Sequence, residues 1–185
     1  SMDPLVLRLI LSAKQQDLAA LRQLHTLIEL VSQIGDLIHH LQRERGLSNM
    51  AMYTPQPAIQ EELLQQAECV DRSLTATVEI IGRMMSGGQS YAARLQTSIA
   101  LGLQSSHGLV EIRQFVQQCQ LEQEVSEKPC EQYSVIVRLW LDVVIEAAAL
   151  SVSAQVTQVV LSLIYLLQAK EFAGQERAWG VVAFS

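Results

Sequence analysis

The chain has 185 residues, enough for a buried core in one domain or in two tightly packed halves. Its apolar fraction is 49% and its mean hydropathy is +0.19, which excludes a disordered chain. A net charge of -6, with three lysines and ten arginines against 19 acidic residues, excludes a basic nucleic-acid stripe, so a bound anion should be small and held by a local positive site.

Ser1-Met2 reads as a tag-cleavage scar ahead of the native start. Asp3 and Pro4 suit an N-cap and a first turn. Leu5 to Leu11 is apolar but too short to span a bilayer, and Asp3, Arg8 and Lys14 interrupt or flank it. From Leu18 the apolar positions Leu21, Leu24, Ile28, Val31, Ile34, Ile38 and Leu41 are spaced by three and four, predicting one long amphipathic helix toward Met52. Tyr53-Thr54-Pro55-Gln56-Pro57 ends it.

A second helix is predicted from near Ile59 through Leu63, Val70, Leu74, Val78, Ile81 and Met85, stopped by Gly87-Gly88. A third runs from Tyr91 to Gln104, with a kink or break at Ser105 to Gly108 before Leu109, Ile112, Val116 and Cys119 resume the stripe. After the polar stretch Glu122 to Lys128, Pro129 can start a helix without losing a needed N–H. Tyr133, Ile136, Trp140, Val144 and Ala147 mark its face, and the pattern continues through Leu150, Ala154, Val160, Leu163, Ile164 and Leu167, predicting one helix over about 131–170. Val143 to Leu167 is very apolar, yet it carries Glu146, three serines, Thr157 and two glutamines, as a buried helix does and a membrane span does not.

No segment alternates with period two. The expected fold is therefore all-α, an antiparallel bundle of four or more long amphipathic helices in one bundle or two packed sub-bundles. The spacings of the long helices hold no clean leucine heptad, although a homodimer built on those helices remains open.

Cys69, Cys119 and Cys130 match no zinc pattern, and Cys69 and Cys119 read as small core residues in a reducing, cytoplasmic setting. His39 and His40 point about 100 degrees apart on a helix, a poor metal pair, and are expected at the surface or in helix packing. There is no glycine-rich phosphate loop, nucleophile triad or metal cluster, and His107 lacks an acid-base partner. The sequence therefore argues against an enzyme and implies no cofactor.

The arginines carry the chemistry. Arg45 lies four residues beyond Leu41, seven beyond Ile38 and eleven beyond Ile34, which predicts an inward guanidinium. Arg43 points more than a quarter-turn away, to a rim or to solvent, and Glu44 points elsewhere again. Arg177 repeats the spacing from Ala173, Lys170 and Leu166. Gly46 and Gly174 each remove a side chain beside one of these arginines and permit close approach. Arg113 borders the middle stripe, where its stem could simply cover apolar surface. Arg72 with Glu68, and Arg138 with Asp142, have the spacing of exposed helix ion pairs. A guanidinium stays charged at any working pH. Inward arginines must then meet either a small anion or buried carboxylates, for which Glu44 with Arg177 and Glu176 with Arg45 are the cross-helix candidates. Both readings stay open on the residues alone. The second would make the chain an interaction or dimerisation module with structural salt bridges.

Gln42-Arg-Glu-Arg-Gly-Leu-Ser48 and Lys170-Glu-Phe-Ala-Gly-Gln-Glu-Arg-Ala178 resemble the two signatures of the NIT family, the bacterial nitrate- and nitrite-sensing helical domain. Val70-Asp-Arg-Ser-Leu74, Gly108-Leu-Val-Glu-Ile-Arg-Gln-Phe-Val116 and Tyr133 stand where that family carries recurring helix and contact residues. The resemblance implies a non-catalytic sensory domain over 3–185; family domains ordinarily carry some helix past this point, which leaves open a sensory fragment, a shortened relative or a stand-alone ligand-binding protein. It implies nitrate or nitrite bound between helices by Arg45 and Arg177, with Arg113 as a third positive group and Arg43 as a supplement. Helix rearrangement would signal to an output, with RNA reached only through an output domain absent from this chain.

Overall fold

The computed structural model describes residues 2–150 and 154–184, without the side chains of 154–158 and 178–184. Ser1 of the expected scar, the inward role expected of Ala154 and the domain limit at Ser185 lie outside the described residues. Six helices and no strand occur among them: α1 (Pro4–Tyr53), α2 (Pro57–Ser86), α3 (Ala93–Ser106), α4 (Leu109–Glu122), α5 (Lys128–Ala149) and α6 (Ala154–Phe184).

Helix α1 begins at Pro4, where the Asp3 carboxylate accepts from the Leu5 N–H at 2.8 Å, and continues unbroken for 50 residues. The apolar N-terminal segment and the predicted helix from Leu18 are thus one rod, roughly 75 Å long at 1.5 Å per residue. Only its second half is inside the bundle: residues 2–22 are exposed, and burial starts at Leu27. Helix α2 returns antiparallel to α1, since Arg83 meets Glu29, Ser73 meets Gln33 and Gln66 meets His40. Helices α3 and α4 run back in two pieces, broken at His107 and Gly108 as the sequence predicts.

The predicted helix over 131–170 is two helices. Helix α5 ends at Ala149, and α6 returns alongside α1, placing Lys170 against His39 and Glu171 against Gln42. The apolar stripe persists across the break because α5 and α6 line the same core: Val144, Ala147, Val160, Ile164 and Leu167 are buried together. A stripe reports which residues are inward, and two successive helices facing one core produce a stripe like that of one.

Ion pairing also differs from expectation. Every ion pair among the described residues joins two helices, including Arg83–Glu29 and Arg94–Glu146, and neither Glu68–Arg72 nor Arg138–Asp142 forms. Arg72 instead donates to the Cys69 thiol.

Trp140 anchors α5 to α3. Its indole N–H donates to Ser106 Oγ at 3.0 Å, that hydroxyl donates to the Gly102 carbonyl, and Gly102 lies under the ring. A Cβ at Gly102 would stand 3.0 Å from the fully buried indole. An interior glycine-to-alanine change ordinarily favours a helix by about 1 kcal/mol. Here the ring cannot retreat without breaking the Ser106 bond, so Gly102→Ala should lower the urea midpoint, and a raised midpoint would show that the indole has room to move.

Candidate functional site

Glu44 and Arg45 are adjacent on α1 and both are buried, at 0% and 1% relative exposure. Helical spacing predicted this for Arg45 only. Glu44 is inward too because α1 is enclosed here by α2, α4, α5 and α6, leaving only part of its circumference to solvent. Arg43, one residue earlier, takes that solvent side and is exposed.

The two side chains diverge into separate ion pairs. Glu44 receives Arg113 Nε at 2.6 Å and Nη2 at 3.1 Å, a two-pronged contact, together with the Tyr133 hydroxyl at 3.0 Å. Arg113 Nη1 donates to Asp71 at 2.9 Å, and Nη2 also reaches the Ala67 carbonyl. Burial alone would weaken Arg113's hold on its proton, but Glu44 and then Asp71 carry it above its ordinary range. Burial and the Glu44 charge push the Tyr133 phenol far above its usual pKa, keeping it a donor. Ser48 Oγ donates onward to Tyr133 at 3.4 Å.

Arg45 turns the other way, to α5 and α6. Its Nη1 donates to Glu171 Oε1 at 2.5 Å and to Ser134 Oγ at 3.0 Å. Glu171 also accepts from Gln42 at 2.9 Å and from Gln175 at 2.8 Å. Adjacent residues of α1 thus interlock with adjacent residues of α5, Glu44 with Tyr133 and Arg45 with Ser134. The buried Arg45 Nη2 has no hydrogen-bond partner among the described residues. The backbone of α6 comes closest there: a Cβ on Gly174 would lie 2.5 Å from Nη2. Gly46 has no such neighbour, so of the two glycines beside the arginines only Gly174 is required by contact.

The carboxylates that neutralise these arginines are not those the sequence suggested. Glu44 pairs with Arg113 rather than Arg177, and Arg45 pairs with Glu171 rather than Glu176. Arg177 shares a face of α6 with Lys170, as its spacing predicts, but that face is exposed and not inward. The inward face of α6 passes through Val160, Ile164, Leu167 and Glu171. Glu171 lies inside the second signature and was missed because a glutamate in a charged run reads as surface.

Outside the Arg45–Glu171 pair the residues are basic. Lys170 Nζ donates to His39 Nδ1 at 3.2 Å, which requires an imidazole with that nitrogen free of a proton. Burial, then the nearby charges of Lys170, His40 and Arg43, lower the His39 pKa below 6.5, against a smaller opposing effect of Asp36. His40 receives Gln66 on α2, so both histidines serve helix packing. Cys119 is buried as expected, and Cys69 is partly so; Cys130, near Arg45 and Glu171, has its thiol pKa pushed up chiefly by burial. No group of three histidine, cysteine or acidic side chains suited to a metal occurs among the described residues. No helix among them is long and apolar enough to cross a membrane.

Comparison with known proteins places these features in context. A family model described as NIT, nitrate and nitrite sensing, matches residues 36–185. A nitrate regulatory protein of Klebsiella oxytoca is 29% identical over 167 residues, covering 89% of this chain and 41% of that protein. The solved structure of the NasR transcription antiterminator aligns with a TM-score of 0.80 and 28% identity, over 96% of this chain and 47% of the other. The chain therefore spans less than half the length of these relatives.

Two tests follow from the geometry. Tyr133→Phe removes a hydrogen bond to a fully buried carboxylate and should destabilise the fold by about 1.5–3 kcal/mol in urea unfolding; an effect within a few tenths would mean that Arg113 alone satisfies Glu44. The depressed His39 pKa makes its stabilising contribution complete above pH 6.5 and lost progressively as pH falls through 6.5 toward the folded-state value. Melting temperature should therefore fall less steeply with acidification in His39→Gln than in the parent, and identical slopes would dismiss His39 as a contributor.

Proposed function

The chain belongs to the NIT family of nitrate and nitrite sensing, a sensory and non-catalytic helical domain, and from that premise we propose that it binds nitrate or nitrite at Arg45, between α1, α5 and α6. The carrying observation is that a buried guanidinium already holds a planar oxyanion, the Glu171 carboxylate, while its Nη2 stands unused against Gly174. A nitrate ion has the flat, multi-oxygen shape that arginine's fixed fork meets with parallel N–H donors. Ser134 supplies a further polar contact beside Nη1.

Binding is then an exchange of anions. Two negative groups cannot share Arg45 at close range, so nitrate entering at Nη1 and Nη2 expels the Glu171 carboxylate. The cost of stripping water from a small anion is met only by convergent charge-assisted bonds. Arg177, one turn beyond Gly174 on α6, supplies the second contact as α6 readjusts, and Arg43 lends charge at the rim. Arg113 acts at one remove: it neutralises Glu44, whose charge beside Arg45 would otherwise repel the ligand. Glu171 joins α6 to Gln42 and Arg45 on α1, so its release changes how those helices are held, a differential contact of the kind that a two-state signal requires.

The reading extends to a domain spanning 3–185, cytoplasmic, homodimeric, and acting on RNA through an output domain that these residues do not include. A second reading has its own support. Arg45 and Arg113 both have carboxylate partners, as a purely structural network in a dimerisation module would.

Isothermal titration with nitrate and nitrite separates the two. Binding should be lost in Arg45→Ala, weakened in Arg45→Lys, which keeps the charge but not the fork, and weakened in the exposed Arg177→Ala without loss of fold. Glu171→Gln removes the competing charge and should tighten binding several-fold, by about 1 kcal/mol or more. Gly174→Ala should weaken binding while the helices stay formed, because its Cβ would push the Arg45 guanidinium out of its present position. Failure of nitrate to bind even to the Glu171→Gln protein would leave the structural network as the function of these pairs.

A further inference from the structure

The half of α1 outside the bundle carries a second pattern, on the side turned away from the core. Leu7, Leu11, Lys14, Leu18, Leu21, His25 and Ile28 follow one another at alternating spacings of four and three, a heptad seam; Leu21 and Ile28, which their spacing set on the inward stripe, are exposed, and the buried stripe begins at Leu27 and does not keep this register. Its five apolar members are large and open to solvent: Leu7 is 47% exposed, Leu11 53%, Leu18 52%, Leu21 62% and Ile28 45%. Nothing described in the chain packs on residues 4–18, and an isolated helix of about that length is marginal in water.

We propose that this seam is the surface on which a second copy of the chain docks, as a parallel, in-register coiled coil of the two α1 arms. The proposal rests on the homodimer reading given above and locates it. Charge is what selects the occupant. With Leu11, Leu18 and His25 at the a positions and Leu7, Lys14, Leu21 and Ile28 at the d positions, the flanking g residues are Asp3, Ile10, Asp17 and Leu24, and the e residues are Arg8, Gln15, Arg22 and Glu29. In a parallel pair each g residue meets the partner's e residue five positions on. That register places Asp17 against Arg22 of the partner subunit, attractive on both sides of the seam; Asp3 lies outside the helix, where its carboxylate caps Leu5. Asp17 and Arg22 are exposed, and neither is in an ion pair among the described residues. Lys14 and His25 are the weak layers, and polar core residues of this kind fix register at some cost in stability.

The seam lies clear of the arginine site by the sequence distance from Ile28 to Arg45, about 26 Å along the helix. The two can therefore fail separately. Sedimentation velocity on the 185-residue chain should show a dimer, and Leu11→Glu with Leu18→Glu should make it monomeric at the same concentration while the thermal unfolding of the bundle and the nitrate titration stay unchanged. Asp17→Arg should weaken the dimer about tenfold or more, and adding Arg22→Asp should restore it. Residues 17 and 22 are five apart and do not face each other within one helix, so rescue reports contact between chains. A monomeric parent chain, a dimer indifferent to the two glutamates, or a charge swap without rescue would each overturn the proposal. A lost nitrate response with an intact, seam-dependent dimer would instead count against the sensing reading alone.

Discussion

The structure depends on α1 burying two opposite charges side by side. Glu44 and Arg45 cannot neutralise one another, because adjacent helical side chains point about 100 degrees apart. Each ion deprived of water costs several kcal/mol unless partners replace the lost hydration. Those partners must come from other helices, and from different directions. Glu44 draws in Arg113 from α4 and Tyr133 from α5; Arg45 draws in Ser134 from α5 and Glu171 from α6. Apolar stripes alone would let the helices slide, whereas directional bonds at one level of α1 fix which residues of α4, α5 and α6 stand opposite it.

The two halves of this arrangement are unequal, and the inequality assigns them different roles. Glu44 is saturated: a two-pronged guanidinium and a phenol occupy it, and Arg113 is steadied in turn by Asp71. Arg45 is left with one donor unused, its Nη2 beside Gly174 of α6, where a Cβ would force the guanidinium to shift. A saturated pair resists change. A buried charge with a spare donor is the half at which the proposed anion would gain most, because its bonds would form in a place already cleared of water.

How much of this could be read from sequence follows from what sequence patterns encode. Periodicity reports direction around a helix, so the all-α fold, the long first helix, the break at His107 and Gly108, and the inward Arg45 were legible. It does not report which remote segment arrives opposite a residue, so the Arg113–Glu44 and Arg45–Glu171 pairings were not. The same limit explains Arg177: its place relative to Lys170 was legible, but whether that face turned inward depended on how α6 returns past α1. Gly174 stood out beside its arginine as Gly46 did, yet only the close approach of α6 separates the required glycine from the permitted one. The run from Pro129 to Leu167 misled for a related reason, since two helices lining one core inherit one stripe.

Helix α1 also meets two geometric demands along its length. Within the bundle, residues face several neighbours and burial spreads around the helix, so a strict seam would be a handicap; Glu44, Arg45, Leu47 and Ser48 are all inside. Beyond the bundle, no neighbour constrains the arm, and a heptad seam runs along its outer side beside further exposed apolar residues, Leu5, Val6, Leu9 and Ile10. The helix is continuous between the two regions, and a continuous helix transmits displacement and rotation without bending unless a glycine, proline or inserted side chain interrupts it. Gly35 is the sole glycine between Leu21 and Arg45, and α1 remains helical through it. Glu171 on α6 is thus held, through Gln42 and Arg45, by the same rod that carries the arm.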